Sequence, residues 1–239
     1  YRWDNDSLSY IEISPGGSGG GAAAVFVADI AALQALNPAS APEVIVVDPR
    51  NGGLFVFNGT NMSAAVTSDP FKGIYVPPAS APTGASGAYV RHVFDRSYFA
   101  EWWLPSVMPV DADLNLNSAL SLIPDYSEFY FPPRMATIQD QLLLQKPAEY
   151  FGHGLDCPID GQGGEFWCIA VAASNSRLHN IYAGNVEGQL DLGEPGGIHL
   201  YNGIQSLSGG GTAADVIENV KIIDCGAYNV ETGIRCGIS

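Results

Sequence analysis

A chain of 239 residues has room for one large domain or two smaller ones, and its charge is one-sided: 25 acidic residues against 10 basic give a formal net charge of −15. That balance argues against a nucleic-acid partner, because a phosphate backbone is held by clustered Lys and Arg. Charged residues are only 15% of the chain, whereas Gly (28) and Pro (16) are plentiful, so many short strands and turns are expected rather than long helices.

Residues 1–21 read as an N-terminal arm. Tyr1, Trp3, Tyr10, Ile11 and Ile13 place aromatic and alternating apolar side chains ahead of a Gly/Ser linker at 14–21, a composition suited to docking on another protein through a flexible hinge. Residues 22–94 form a small α+β or mostly-β module. Ile30, Leu33 and Leu36 recur at helical spacing, and Asn37-Pro38 ends that helix. Residues 43–48 (EVIVVD) and 54–59 (LFVFNG) flank a turn at 49–53 and predict a hairpin, while 73–78 and 87–93 supply two further strands. The apolar phrase at 22–33 is broken by Asp29, and no run approaches the length of a membrane span. Asn58 and Asn61 each open a formal glycosylation sequon, which matters only in a eukaryotic secretory setting.

Residues 95–125 make a junction. Its segment 113–124 (DLNLNSALSLIP) puts Leu116, Ala119, Leu120 and Ile123 on one helical face and stops at Pro124. From 126 to 239 short apolar-alternating phrases follow one another. A local pattern is written twice, SRLHNIYAGN (176–185) and DVIENVKIIDCG (215–226), with Asn180 over Asn219 at a step of 39 residues. Each copy precedes a second phrase, GGIHLYNG (196–203) and TGIRCGIS (232–239), with Gly197 over Gly233 at a step of 36. Strand, turn and strand recurring at a near-fixed period predict a solenoid, and the helix at 113–124 is placed to cap its first open edge. The chain starts at Tyr1 and stops inside the second copy, so we read it as a piece of a longer protein.

Cys157, Cys168, Cys225 and Cys236 form no CxxC or Cys/His cluster, so neither a structural zinc site nor any other metal or cofactor is expected. Their spacing of 11 within each pair permits disulfides without requiring them; small buried thiols on strands are the preferred reading.

The phrases at 27–38, 44–66 and 73–91 resemble, in order and spacing, the N-terminal module of phage tailspike proteins. Residues 101–105 (EWWLP) resemble the Trp-containing linker after that module, 127–133 (SEFYFPP) the first strand that follows, and 141–154 the next coil; Arg134 stands where that family often has Gly. The resemblance implies a mainly β protein: the small module, then the first coils of a right-handed parallel β-helix of the pectate-lyase-like type, capped by a short helix. It further implies a homotrimer in the virion tail, attached to a tail or baseplate protein through the arm and recognising, or degrading, host surface polysaccharide, with neither nucleic acid nor membrane insertion involved. A secreted polysaccharide lyase or hydrolase outside a virion and a tail adaptor without sugar contact are the alternatives.

Glycoside hydrolysis takes two carboxylates flanking the scissile bond. Glu187, Asp191 and Glu194 sit in a loop that interrupts the repeat and could overhang a groove, and Asp156 and Asp160 are further candidates. Lyase chemistry needs a base, for which His179 and His199 lie on strand phrases. Sugar rings pack on flat side chains, which singles out Trp167, Tyr182 and Tyr201; for Trp102 and Trp103 packing between domains or subunits is the preferred use. In the family that the chain resembles the catalytic residues usually lie further along the helix or between subunits, so depolymerase activity is an implication of resemblance alone.

Overall fold

The computed structural model describes residues 25–109, 111–161, 167–184, 196–200, 218–228 and 232–236. The module is built on one five-stranded sheet. β1 (Val25–Val27) runs parallel to β2 (Glu43–Val46), and β2 pairs antiparallel with β3 (Gly53–Asn58) through the expected hairpin. β5 (Ala88–Arg91) lies between β3 and β4 (Tyr75–Val76), giving the order β1-β2-β3-β5-β4. α1 (Ile30–Ala35) starts where the Asp29 carboxylate accepts the Ala32 N–H at 2.7 Å, an N-cap that meets one of the free donors of the first turn. Leu33, Val44, Val46, Phe55, Val76 and Tyr89 make the module's core. The sequence reading had one helix here; a second, α2 (Ser63–Ser68), follows β3 and buries no residue, so it left no apolar stripe to detect.

β6 (Ser97–Phe99) and a 3₁₀ turn (Ala100–Trp102) lead to α3 (Asp113–Leu122), whose predicted apolar face is buried: Leu116, Ala119, Leu120 and Ile123 are each at most 2% exposed. Beyond α3 the chain visits three parallel sheets in rotation. The first holds β6, β7 (Glu128–Tyr130), β10 (Glu149–Phe151), β13 (Arg177–His179) and β16 (Lys221–Ile223). The second holds β8 (Ala136–Thr137), β11 (Ile159–Asp160), β14 (Tyr182–Gly184) and β17 (Gly226–Tyr228). β9 (Leu142–Leu144), β12 (Trp167–Val171), β15 (Gly196–Leu200) and β18 (Thr232–Cys236) make the third. Residues 141–154, read from sequence as one coil, thus feed two sheets. Inward columns fill the space between them: Phe129, Tyr150 and Leu178 from the first, Ala136, Ile159 and Ala183 from the second, Leu142, Ile169 and Ile198 from the third. Period-2 alternation produces this, since each strand turns every second side chain to the interior.

The first strand of a parallel stack exposes unpaired backbone, and here side chains meet it. At the edge of the third sheet, the Asn117 amide donates to the Gln141 carbonyl at 2.9 Å and accepts the Leu143 N–H at 3.0 Å, standing in for a neighbouring strand. Around β8, the Ala112 N–H donates to the Thr137 carbonyl and the Asp113 carboxylate accepts the Gln139 N–H. β6 covers the edge of the first sheet.

The module and the parallel sheets meet at Asp69, which is 1% exposed. Its carboxylate accepts the backbone N–H groups of Gly73, Ile74 and Tyr75 and the Trp103 indole N–H, at 2.7–3.1 Å. The indole lies against Gly73 so closely that a Cβ there would come within 2.2 Å of it. Arg91 is held between the Phe55 and Trp102 rings, 4.5 and 4.3 Å from their centroids, and donates to the carbonyls of Asn51, Gly52 and Gly73. Trp102 and Trp103 therefore pack between module and sheets. Arg134, at the position where Gly is common in the resembling family, forks onto Glu101 and donates to the carbonyls of Pro105 and Ser106.

The repeat read from the sequence is corrected in one half. Gly196 pairs with Thr232 and Ile198 with Ile234, so the step of 36 holds. Arg177 pairs with Lys221 and His179 with Ile223, so the other step is 44, not 39. Asn175 stacks over Asn219, and Asn180 over Asp224. All four have left-handed backbone, with φ between 52° and 60°. One such residue precedes the first-sheet strand and one follows it, and aligning Asn180 with Asn219 matched the end of one strand to the start of another.

Candidate groove along the first parallel sheet

The outward face of the first sheet carries two columns. One is Ser97, Glu128, Glu149, Arg177 and Lys221, each the register partner of the next; the other is Phe99, Tyr130, Phe151, His179 and Ile223. Every strand contributes the same triplet, a polar residue, an inward apolar or aromatic residue (buried in β7, β10 and β13, partly buried in β6 and β16) and, except in β16, an outward ring. The rings of the second column stack face to face, with centroids 5.0, 4.9 and 4.7 Å apart and planes within 16° of parallel. Within the column the ring faces are therefore occupied by each other, and edges point outward.

Beside the first column runs a groove of about 440 Å³, lined by Asp95, Tyr126, Ser127, Glu128, Ala148, Glu149, Asn175, Arg177 and Asn219. Its rim is the row of left-handed residues that start the strands: Asp95, Tyr126, Asn175 and Asn219 have φ of 51–61°. Asn and Asp tolerate this backbone, and it swings the chain out of the sheet at four of the five levels (β10 has Pro147 there), leaving a channel along the stack. Neighbouring strands are about 4.8 Å apart, so the rim from Asp95 to Asn219 runs roughly 19 Å.

The polar groups in it are held in place. Glu128 accepts from the Ser97 and Tyr130 hydroxyls, both at 2.9 Å. Burial, then that bond, pushes the Tyr130 phenol up to about 12, so it remains a donor at neutral pH. Glu149 meets the Arg177 guanidinium at 2.8 Å and His179 Nε2 at 3.6 Å. The Asn219 amide donates to Asn175 Oδ1 at 2.9 Å. The arrangement offers carboxylates, amides and one guanidinium along a line, a set of donors and acceptors matched to hydroxyl-rich ligands.

Of the residues singled out by sequence, Glu187, Asp191, Glu194, Tyr201 and the arm residues Tyr1, Trp3, Tyr10, Ile11 and Ile13 lie outside the described residues. Trp167 opens β12 in the third sheet, whereas Tyr182 lies on β14 in the second, so the two belong to different faces. The Tyr182 ring covers Gly226, where a Cβ would come within 2.6 Å of it. Asp160 is 2% exposed on β11, and Asp156 is exposed in the preceding turn. His199 pairs with Ala170 and Arg235 in the third sheet, while His179 ends the ring stack. Cys157, Cys168 and Cys225 are free thiols; only Cys168 is on a strand and buried. The groove residues Asp95, Tyr126, Glu128, Glu149, Arg177, Asn175 and Asn219 escaped sequence reasoning as site residues. The available signal was the recurring triplet Glu-Phe-Tyr, Glu-Tyr-Phe, Arg-Leu-His. Among the described residues no group of three or more His, Cys, Asp or Glu could hold a metal ion, and no helix is long and apolar enough to cross a membrane.

No family model and no curated protein matches the chain. Solved structures do. The enzymatically active domain of tailspike protein 2 from bacteriophage CBA120 aligns with a TM-score of 0.54 at 13% identity, covering 82% of this chain and 29% of that one. The full-length tailspike protein 2 of an Escherichia coli O157:H7 bacteriophage aligns with a TM-score of 0.53 at 13% identity, covering 82% of this chain and 26% of that one. The chain therefore spans less than a third of the tailspikes it resembles, and what it shares with them is a tailspike-like, mainly β fold.

Proposed function

We propose that the chain is the tail-proximal part of a virion tailspike whose parallel sheets are the early coils of a right-handed parallel β-helix, capped by α3, and whose groove meets host surface polysaccharide. The observation carrying this reading is the roughly 19 Å channel of fixed hydrogen-bonding groups along one face of a tailspike-like fold. Long, shallow and polar, it suits an extended hydroxylated polymer better than a compact apolar ligand, which would call for an enclosed, mostly apolar cavity.

Binding is tested with the 239-residue chain on an array of bacterial surface glycans. The expected result is retention of at least one glycan, weakened ten-fold or more by Asn175→Ala with Asn219→Ala; retention unaffected by that pair removes the groove from the reading. The arm (1–21) is proposed to attach the protein to the tail, and its deletion should abolish tail incorporation while glycan binding persists. A homotrimer is proposed as well. Phe26, Val47, Val56 and Phe94 are 37–64% exposed on the module, an apolar surface that a second copy would cover. Sedimentation of the chain as a 25.2 kDa monomer at all concentrations argues against self-association through this surface. New reducing ends or unsaturated products from a bound glycan would mark hydrolase or lyase activity respectively.

A further inference from the structure

We infer that the glycan accepted by the groove is one without carboxylate or phosphate groups, an inference that rests on the polysaccharide reading just given. Three carboxylates line the channel, Asp95, Glu128 and Glu149, against one guanidinium, Arg177. That guanidinium meets Glu149 at 2.8 Å, so its charge is balanced by a carboxylate within the channel. Glu128, with two hydroxyl donors on one oxygen and no cation bonded to it among the described residues, remains a net negative site at the second of the five levels. Arg96 follows Asp95 in the chain and Lys221 ends the outward column next to Arg177; neither is among the residues that line the channel. An acidic polysaccharide repeats its charge along the polymer, so it would bring anions next to these carboxylates at several levels, on a protein that already carries −15. Hydroxyls have no such conflict. A carboxylate accepts from paired hydroxyls, and the Asn175 and Asn219 amides can both donate and accept.

The ring column itself offers no platform for the other common mode of sugar recognition. Stacked at 4.7–5.0 Å, Phe99, Tyr130, Phe151 and His179 present edges, and among the groove's lining residues Tyr126, 66% exposed at the rim, is the aromatic ring left to meet a sugar's apolar face. Away from Tyr126, selectivity along the channel is then set by hydrogen bonding and charge.

The test uses the 239-residue chain on the same array, with glycans sorted into uncharged, amine-bearing and acidic classes, at low and physiological salt. Uncharged or amine-bearing glycans are expected among the binders, with acidic ones at least ten-fold weaker and improving as salt screens the repulsion. In the Glu128→Gln, Glu149→Gln variant, which keeps oxygen acceptors but removes two charges, the ratio of acidic to uncharged glycan affinity should rise at least five-fold over the parent; an unchanged ratio overturns the charge inference. Circular dichroism confirms that the variant is folded. Acidic glycans bound as tightly as uncharged ones by the parent overturn the charge inference and leave the polysaccharide reading standing. Absence of binding in all three classes overturns both.

Discussion

Replacing Asn117 by alanine tests how the first open edge of the parallel stack is closed. The substitution strips partners from two backbone groups at the start of β9, the Leu143 N–H and the carbonyl of the preceding Gln141, now held at 3.0 and 2.9 Å. A buried donor or acceptor left unmet costs about 1–3 kcal/mol; both groups are only half-buried and water can reach them in part, so the low end applies and the total is about 2 kcal/mol. For a protein of this size that lowers the melting temperature by roughly 4–8 °C. Hydrogen exchange locates the effect: the Leu143 amide should lose at least ten-fold in protection while amides of β2 and β3 hold theirs. Asn117→Asp keeps an acceptor for Leu143 but no donor for Gln141, and should fall between the two. A melting shift below about 1 °C, with Leu143 protection unchanged, would refute the idea that a side chain substitutes for the missing strand.

Asp69→Asn leaves four converging N–H donors facing an amide with one acceptor oxygen; a loss of about 3 kcal/mol is expected, read from denaturant unfolding followed by Trp fluorescence. An unchanged midpoint would show that the hub is not needed to dock the module. Cys168 is buried and its thiol is pushed up to about 12, chiefly by burial, so alkylation at pH 8 followed by peptide mass spectrometry should modify the half-exposed Cys157 and spare Cys168 until the protein unfolds. The Asp111 carboxyl is raised above its ordinary value, first by its hydrogen bond with Asp113, then by burial and by the charges of Asp113 and Asp140. A raised acid stabilises the fold below the ordinary carboxylate pKa, and that contribution is lost as pH rises through the raised value. Asp111→Asn should therefore melt higher than the parent at pH 7 and alongside it at pH 3; a constant difference across that range would contradict the assignment.

Local conformation was legible in the residues. The Ile30, Leu33 and Leu36 spacing stopped by Asn37-Pro38, the 43–59 hairpin and the apolar face of 113–124 all appear where periodicity and turn residues put them, because each is settled by interactions within a few residues. The Gly197–Gly233 step was legible too, both phrases opening a strand in one sheet. Tertiary structure decided the rest. Along the first sheet the steps between paired residues are 31, 21, 28 and 44, from Ser97 through Glu128, Glu149 and Arg177 to Lys221. These depend on the lengths of the connections between sheets, and loop closure costs so little per added residue that connections vary freely and leave no period in the sequence. For that reason Glu128, Glu149 and Arg177 look unrelated along the chain, while Asn180 and Asn219, which share only a left-handed backbone, look like repeats. Stacking alone puts the three charged residues on one line beside Asn175 and Asn219, and that line is the groove.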